Sequence, residues 1–517
     1  VLVKACQTRE QLLGADDLLT AATKQDLAVL YRTYGKYPQA ERLYEDVLAV
    51  RNAQLGDNHR DTLATKHHLA ILYHSQGDLA AAESLHEEVL AVRTAELGAQ
   101  DPDTLASQHW LGLLYRSQSK NAEAEALYNQ VLAVRRAQLG AENLATIDIK
   151  EELAELYRDQ HKYAEAEKLL EEVLAIRTLK LGAYHLETLD TRYHLAVLYQ
   201  SQGKFDLAEA IHKEVLALRT AKLGADHPVT LRSQHHLAGL YRDQGKHGLA
   251  ESTYKEMLAL RTAKLGADHP DTLHTKFNLA GLYSSMKKFD LSIPLFEETL
   301  ELKKAKYGPD NLSTLGAQAN LGVIYRDARR FNDAIPLLEE VYQKGGRYPE
   351  LAWVGDTLLS VYVQAGKVTE AITFAAERVR AARKQLPADS PQLAAALAAT
   401  GEALLDTKAY DDAQPLLREC LVIRQEKDAA AWTTFHTQSL LGAALLGQKK
   451  YADAEPLLRQ GYEGMKSREA QMPGPSWAWL TPARERLVQL YDAWGRKAEA
   501  DKWRKELEER EAKQKKQ

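Results

Sequence analysis

Eight tyrosines set the frame for this chain. Tyr31, Tyr73, Tyr115, Tyr157, Tyr199, Tyr241, Tyr283 and Tyr325 are each 42 residues from the next, with no slip of phase. A period of that length restricts the fold to stacked supersecondary units, none of which buries its apolar face alone. The stretch Thr62–Gly98 shows what one unit contains: two amphipathic helical patterns joined by a short turn at Gly77. The predicted fold is all-α, a solenoid of about twelve antiparallel helical hairpins.

Other columns share the period. A small residue stands three positions before each tyrosine, as Ala28, Ala70, Gly112, Ala154, Ala196, Ala238, Ala280 and Gly322. A second stands nine after it, from Ala40 through Ser292 to Ala334. Both let the paired helices approach closely, while the leucines and tyrosines fill the seam. The tyrosine hydroxyl is expected to find a partner at the seam's edge. Gly77, Gly203 and Gly245 suit the positive φ that ends the first helix. Leu223–Thr230 and Leu265–Thr272 share the motif LGADHPxT, with Gly224 and Gly266 as stops and Pro228 and Pro270 at the next start. His227 and His269 in this loop read as turn chemistry; a whole repeat separates them, which argues against a metal site.

The repeat divides the chain. Residues 1–13 occupy the register of the end of a preceding second helix or an N-terminal cap, so further sequence, a whole domain included, is expected before Val1. Residues 14–345 read as eight regular units and 346–500 as about four diverged ones, with Tyr362, Leu404, Leu445 and Tyr491 in the tyrosine's place. The connection Met472–Trp479 reads as a packed loop, and 501–517 as a charged capping helix with a disordered tail.

Composition excludes several functions. A formal net charge of −5 over 517 residues leaves no broad basic footprint for nucleic acid and no polybasic tract for a membrane surface. No apolar run is long enough to cross a bilayer. The two cysteines, Cys6 and Cys420, make neither a metal spacing nor a disulfide framework, which points to a reducing compartment, the cytoplasm. No phosphate-cradling glycine loop, zinc-protease, nucleophile-elbow or kinase signature occurs. The expectation is a non-catalytic chain without cofactor or metal.

A curved stack leaves its first helices on the inner face. Side chains one position after the tyrosine should point there, giving Arg32, His74, Arg116, Arg158, Arg242 and Arg326. So should those five before it: His68, Trp110, His194, His236, Asn278 and Asn320, with Glu152 at the same register. Arginine offers a bidentate fork to carboxylate and asparagine an amide to a peptide backbone, so this row suits an extended peptide with an acidic or aromatic anchor. The bland alternative is a solvated face neutralised by glutamates of the second helices. Titrating imidazoles would make such a groove pH-sensitive.

The unit LA-x-LY-x-x-Q-G-K … A-E-x-x-[YH]-x-E-V-L-A-[VIL]-R-T-x-x-LGADHPxT resembles the tetratricopeptide repeats of kinesin light chain, most clearly over residues 14–345. The whole, including Ala431–Leu458, also resembles the C-terminal repeat regions of large bacterial proteins, many from planctomycetes, that follow a serine/threonine kinase domain. The resemblance implies a right-handed superhelix and protein or peptide binding in the concave groove. Kinesin light chains carry groove asparagines that hold cargo. Here only Asn278 and Asn320 match, so kinesin-type cargo recognition is not implied. Three readings follow: a monomeric scaffold binding a peptide or protein, the regulatory segment of a larger signalling enzyme, and a structural, self-assembling or engineered rod.

Overall fold

The computed structural model describes residues 2–472 and 477–514; the side chains of 477 and 509–514 are not described. The described chain is an all-α solenoid with no strand. It divides into two compact units, Val1–Ala317 and Gln318–Gln517.

The first unit opens with α1 (Leu2–Leu13) and continues as helical pairs. These are α2 (Leu18–Thr33) with α3 (Tyr37–Leu55), α4 (Arg60–Gln76) with α5 (Leu79–Leu97), and α6 (Pro102–Ser117) with α7 (Asn121–Leu139). They continue with α8 (Leu144–Asp159) and α9 (Tyr163–Leu181), α10 (Leu186–Ser201) and α11 (Phe205–Leu223), α12 (Pro228–Asp243) and α13 (His247–Leu265), then α14 (Pro270–Ser285) and α15 (Phe289–Tyr307). α16 (Leu312–Asp327) carries the unit boundary and pairs with α17 (Phe331–Lys344). The second unit then holds α18 (Val354–Gln364) with α19 (Val368–Gln385), α20 (Pro391–Asp406) with α21 (Tyr410–Asp428), α22 (Trp432–Gly447) with α23 (Tyr451–Lys466), and α24 (Trp477–Trp494) with α25 (Lys497–Gln514).

In the first unit each first helix from α2 to α14 starts on a side-chain cap. At His59, His185, His227 and His269 the imidazole Nδ1 accepts the backbone N–H two residues on, at 3.2–3.3 Å. Asp101 and Asn143 do the same with carboxylate and amide oxygens. This is the turn role expected of the loop histidines, and it satisfies one orphan donor of each helix.

The helices then close on each other through the small column. A Cβ added at Gly112 would meet the Tyr128 ring at 2.7 Å, so this copy of the crossing admits nothing larger than glycine without a shift. Tyr44, His86, Tyr128, Leu170, His212, Tyr254, Phe296 and Leu338 occupy that second-helix position, all of them buried. The period-setting tyrosines pack as the sequence predicts. Tyr241, Tyr283 and Tyr325 are buried and the other five half-buried. Three of their hydroxyls donate to a glutamate of the preceding second helix, Tyr115 to Glu87 at 2.8 Å, Tyr157 to Glu125 at 3.0 Å and Tyr283 to Glu251 at 3.0 Å.

A buried arginine ladder ties each hairpin to the next. Arg51, Arg93, Arg177 and Arg261 each donate through Nη1 to the backbone carbonyl ten residues on and to the hydroxyl fourteen on. For Arg177 these are the Glu187 carbonyl at 3.1 Å and the Thr191 hydroxyl at 2.7 Å.

In the first unit, successive first helices come closer together than successive second helices, which places the first helices on the inside of the curve. The curvature brings the seventh hairpin back against the first. Tyr307 stacks on Tyr37 at 6.0 Å, and the Pro270 ring lies so close to Gly35 that a Cβ there would clash with it.

In the second unit, Tyr362 and Tyr491 donate to Glu339 at close range and to Glu455 at 2.7 Å. Of the Met472–Trp479 connection, residues 473–476 lie outside the described residues, so the expectation of a packed loop is not tested there; Met472 and Trp479 pack against the Leu480 and Leu487 cluster. The charged end is helical to Gln514, and the tail expected beyond it lies outside the described residues.

Candidate functional site: the inner face of the first helices

The predicted row falls into three groups in the first unit. In the first, rings pack on rings. His68 lies parallel to Tyr44, with centroids 6.2 Å apart, and Trp110 sets its edge against His67 at 6.1 Å. Arg32 sits beside the Tyr44 hydroxyl. Burial lowers the pKa of His68 and His74 and pushes His67 down to about 3, so these rings are neutral near pH 7.

The second group is ionic. The Arg116 guanidinium contacts Glu155 at 2.6 Å, Asp159 at 2.8 Å and Glu152 at 3.3 Å. Arg158 contacts Asp159 at 2.7 Å, and His194 bonds directly to Glu155. Burial works against charge on His194, but Glu155 and Glu151 outweigh it and raise its pKa. Glu155 is likewise held well below the usual carboxylate range, against burial, by His194, Arg116 and Arg158. Sequence reading placed the neutralising acids on second helices; for Arg116 they lie on α8, a first helix of the next hairpin. The signal was the 43-residue offset from Arg116 to Asp159, which recurs from Gln200 to Asp243 at 2.7 Å.

The third group surrounds a pocket of about 440 Å³ between α12 and α14, floored by Pro228 and Val229. Arg232, His235, His236, Arg261, Asp271 and His274 line it. His235 and His274 stand 4.9 Å apart, and His236 sets its edge on Tyr193 at 5.0 Å. Burial carries His235 down to about 3 and His236 to about 4. Arg242 is exposed on the same helix and paired with Asp243 at 2.9 Å, and the Asn278 amide donates to the His274 carbonyl at 3.0 Å.

Asn320 and Arg326 belong to the second unit, on α16, where Arg326 pairs with Asp327 at 2.8 Å. That unit has its own inner-face polar group, which sequence reading missed. Arg486 on α24 lies near Glu402 and Asp406 of α20, and burial raises the pKa of both acids. His436 of α22, pushed by burial to about 3, stands 3.9 Å from Glu402. Among the described residues no three His, Cys, Asp or Glu side chains gather as a metal set, and no helix is long and apolar enough to cross a membrane.

Stacked antiparallel helical hairpins of this kind define a class of repeat protein that serves as a scaffold for binding other proteins or peptides. The chain belongs to the tetratricopeptide-repeat family: that family's model matches residues 2–53, 35–95, 61–137, 143–221, 193–263, 229–305 and 271–344. It is similar to a protein described as a kinesin light chain of Podosopora anserina with nearly identical TPR-like repeats, at 32% identity over 39% of this chain and 94% of that one, with a TM-score of 0.35. A second structure of that protein gives 30% identity over 40% and 98%, also at 0.35. BtubC (BKLC) of P. vanneervenii is 24% identical over 48% of this chain and 91% of its own, at 0.33. No curated protein sequence matches the chain.

Proposed function

We propose that the chain is a scaffold whose first-helix face binds an extended peptide or protein segment. The observation that carries this reading is the inner wall of the first unit. Trp110, Arg158, His194, Arg242 and Asn278 stand on the inner helices of successive hairpins, held by the ring contacts, hydrogen bond and ion pairs described above. A rigid wall of alternating rings, amides and charges costs little ordering entropy when another chain lies along it. The row arginines Arg116, Arg158 and Arg242 are matched by carboxylates, so the first unit's wall favours a partner of mixed polarity; an acidic anchor is supported at the α12–α14 pocket. The two free buried cysteines support a reducing compartment, the cytoplasm.

Selection from a random peptide library against the whole chain supplies ligands for the test. Trp110→Ala and Asn278→Ala are expected to weaken the selected peptides, while Leu249→Ala, on the exposed outer surface of α13, leaves them unchanged. Loss only with Leu249→Ala would move the binding face to the second helices. The likeness of Ala431–Leu458 to kinase-associated bacterial repeats supports a second reading, recruitment for a catalytic domain on a longer chain. The full-length gene decides it: a kinase domain encoded upstream supports that reading, and its absence ends it.

A further inference from the structure

One column of the arginine ladder changes sign where the pocket opens. Asp148 and Asp190 stand 29 residues before Arg177 and Arg219 and bind the Nη2 of each. The residue at that register before Arg261 is Arg232. Arg261 keeps its ladder bonds, to the Asp271 carbonyl at 2.9 Å and the Thr275 hydroxyl at 2.7 Å. Among the described residues no carboxylate lies within ion-pair distance of it. Arg232 reaches sideways to Asp190 at 2.9 Å, an acid already engaged by Arg219. Lys303, whose field His274 feels, adds a further cation. Of the residues lining the pocket, Arg232 and Arg261 are the two guanidinium cations and Asp271 the one carboxylate.

We propose that this pocket is an oxyanion site, taking a carboxylate or phosphoryl group between Arg232 and Arg261. A guanidinium can offer such a group its remaining N–H donors, the Arg261 Nε among them being buried without a partner, and a recess between helices strengthens the attraction relative to open water. The His235 and His274 rings, tilted 48° to one another, line one side. The anion is either carried on the segment lying in the groove, which rests on the reading above, or a free small anion.

The ladder supplies its own test. Arg232→Asp restores the acid found one and two hairpins earlier, so it should fold with an unchanged or higher Tm while cancelling the site; Arg232→Ser removes the charge without adding an acid. Titration calorimetry on the whole chain would use inorganic phosphate in one arm. The other arm would use a short peptide alternating glutamate and serine, with its glutamine counterpart as control. At least one probe is expected to bind the wild type and to weaken about tenfold or more in both variants. Response to phosphate identifies a free anion, and response to the glutamate peptide alone a carboxylate borne by the bound segment. Absence of binding by both probes, or affinities indifferent to Arg232, overturns the proposal. Library peptides that depend on Trp110 and Asn278 but not on Arg232 would overturn it while leaving the groove reading standing. Phosphate binding with no groove peptide would do the reverse.

Discussion

His86 and His212 lie fully buried in a column that elsewhere holds Tyr44, Tyr128, Tyr254 and Phe296, and neither ring nitrogen of either histidine has a hydrogen-bond partner. Burial depresses their pKa to about 4 and about 3, as it depresses His67, His235 and His436. The sign follows from linkage. Between these values and the unfolded value the unfolded chain binds the extra proton. The stability of each neutral ring is therefore complete above about pH 6.5 and is lost as pH falls, by roughly 1.4 kcal/mol per pH unit for each histidine. His194 has the opposite sign: its pKa is raised, so its contribution is present below the unfolded value and fades as pH climbs through the folded one. The urea midpoint should drop sharply between about pH 7.5 and about pH 5. His86→Phe with His212→Phe should flatten that drop and raise the midpoint at neutral pH, because phenylalanine fits the column and leaves no unpaired nitrogen. An unchanged pH slope would contradict the burial argument. The sequence displayed these histidines as members of a column. It did not display their neutrality, which follows from burial against the paired first helix, His86 beside His67 and His212 beside Tyr193.

At the scale of the hairpin, the turn between the two helices demands a left-handed residue in every regular copy. Gly35, Gly77, Gly203 and Gly245 supply it at φ from 63 to 82°. Ser119, His161, Lys287 and Arg329 occupy the same register at 57–60°. Only the glycine copies announce this requirement in sequence; in the others it shows once the backbone is traced. A side chain there costs roughly 1–2 kcal/mol, offset in part by glycine's greater unfolded freedom. Lys287→Gly and His161→Gly should each stabilise the chain by about 0.5–1 kcal/mol, read as a higher Tm. A lower Tm from both would show that their side chains contribute more than the strain. The arginine ladder was likewise visible as a recurring R-T after V-L-A, but its acceptors lie on the following hairpin, beyond the reach of a single unit's pattern.

Over the whole molecule, periodicity made the hairpin stack legible, because one unbroken phase admits few other arrangements. The binding face was legible only in part. Sequence placed arginines, rings and amides on the first helices. It could not pair Arg116 with acids of the next hairpin, nor bring Arg232, Arg261 and His274 around one recess, since those neighbours are set by curvature. Hydrogen exchange on the intact chain, with and without a library-selected peptide, reads out which face the ligand covers. Added protection is expected on α4, α6, α10, α12 and α14, with α5, α7, α11 and α13 unchanged. Protection confined to the second helices would contradict the groove reading.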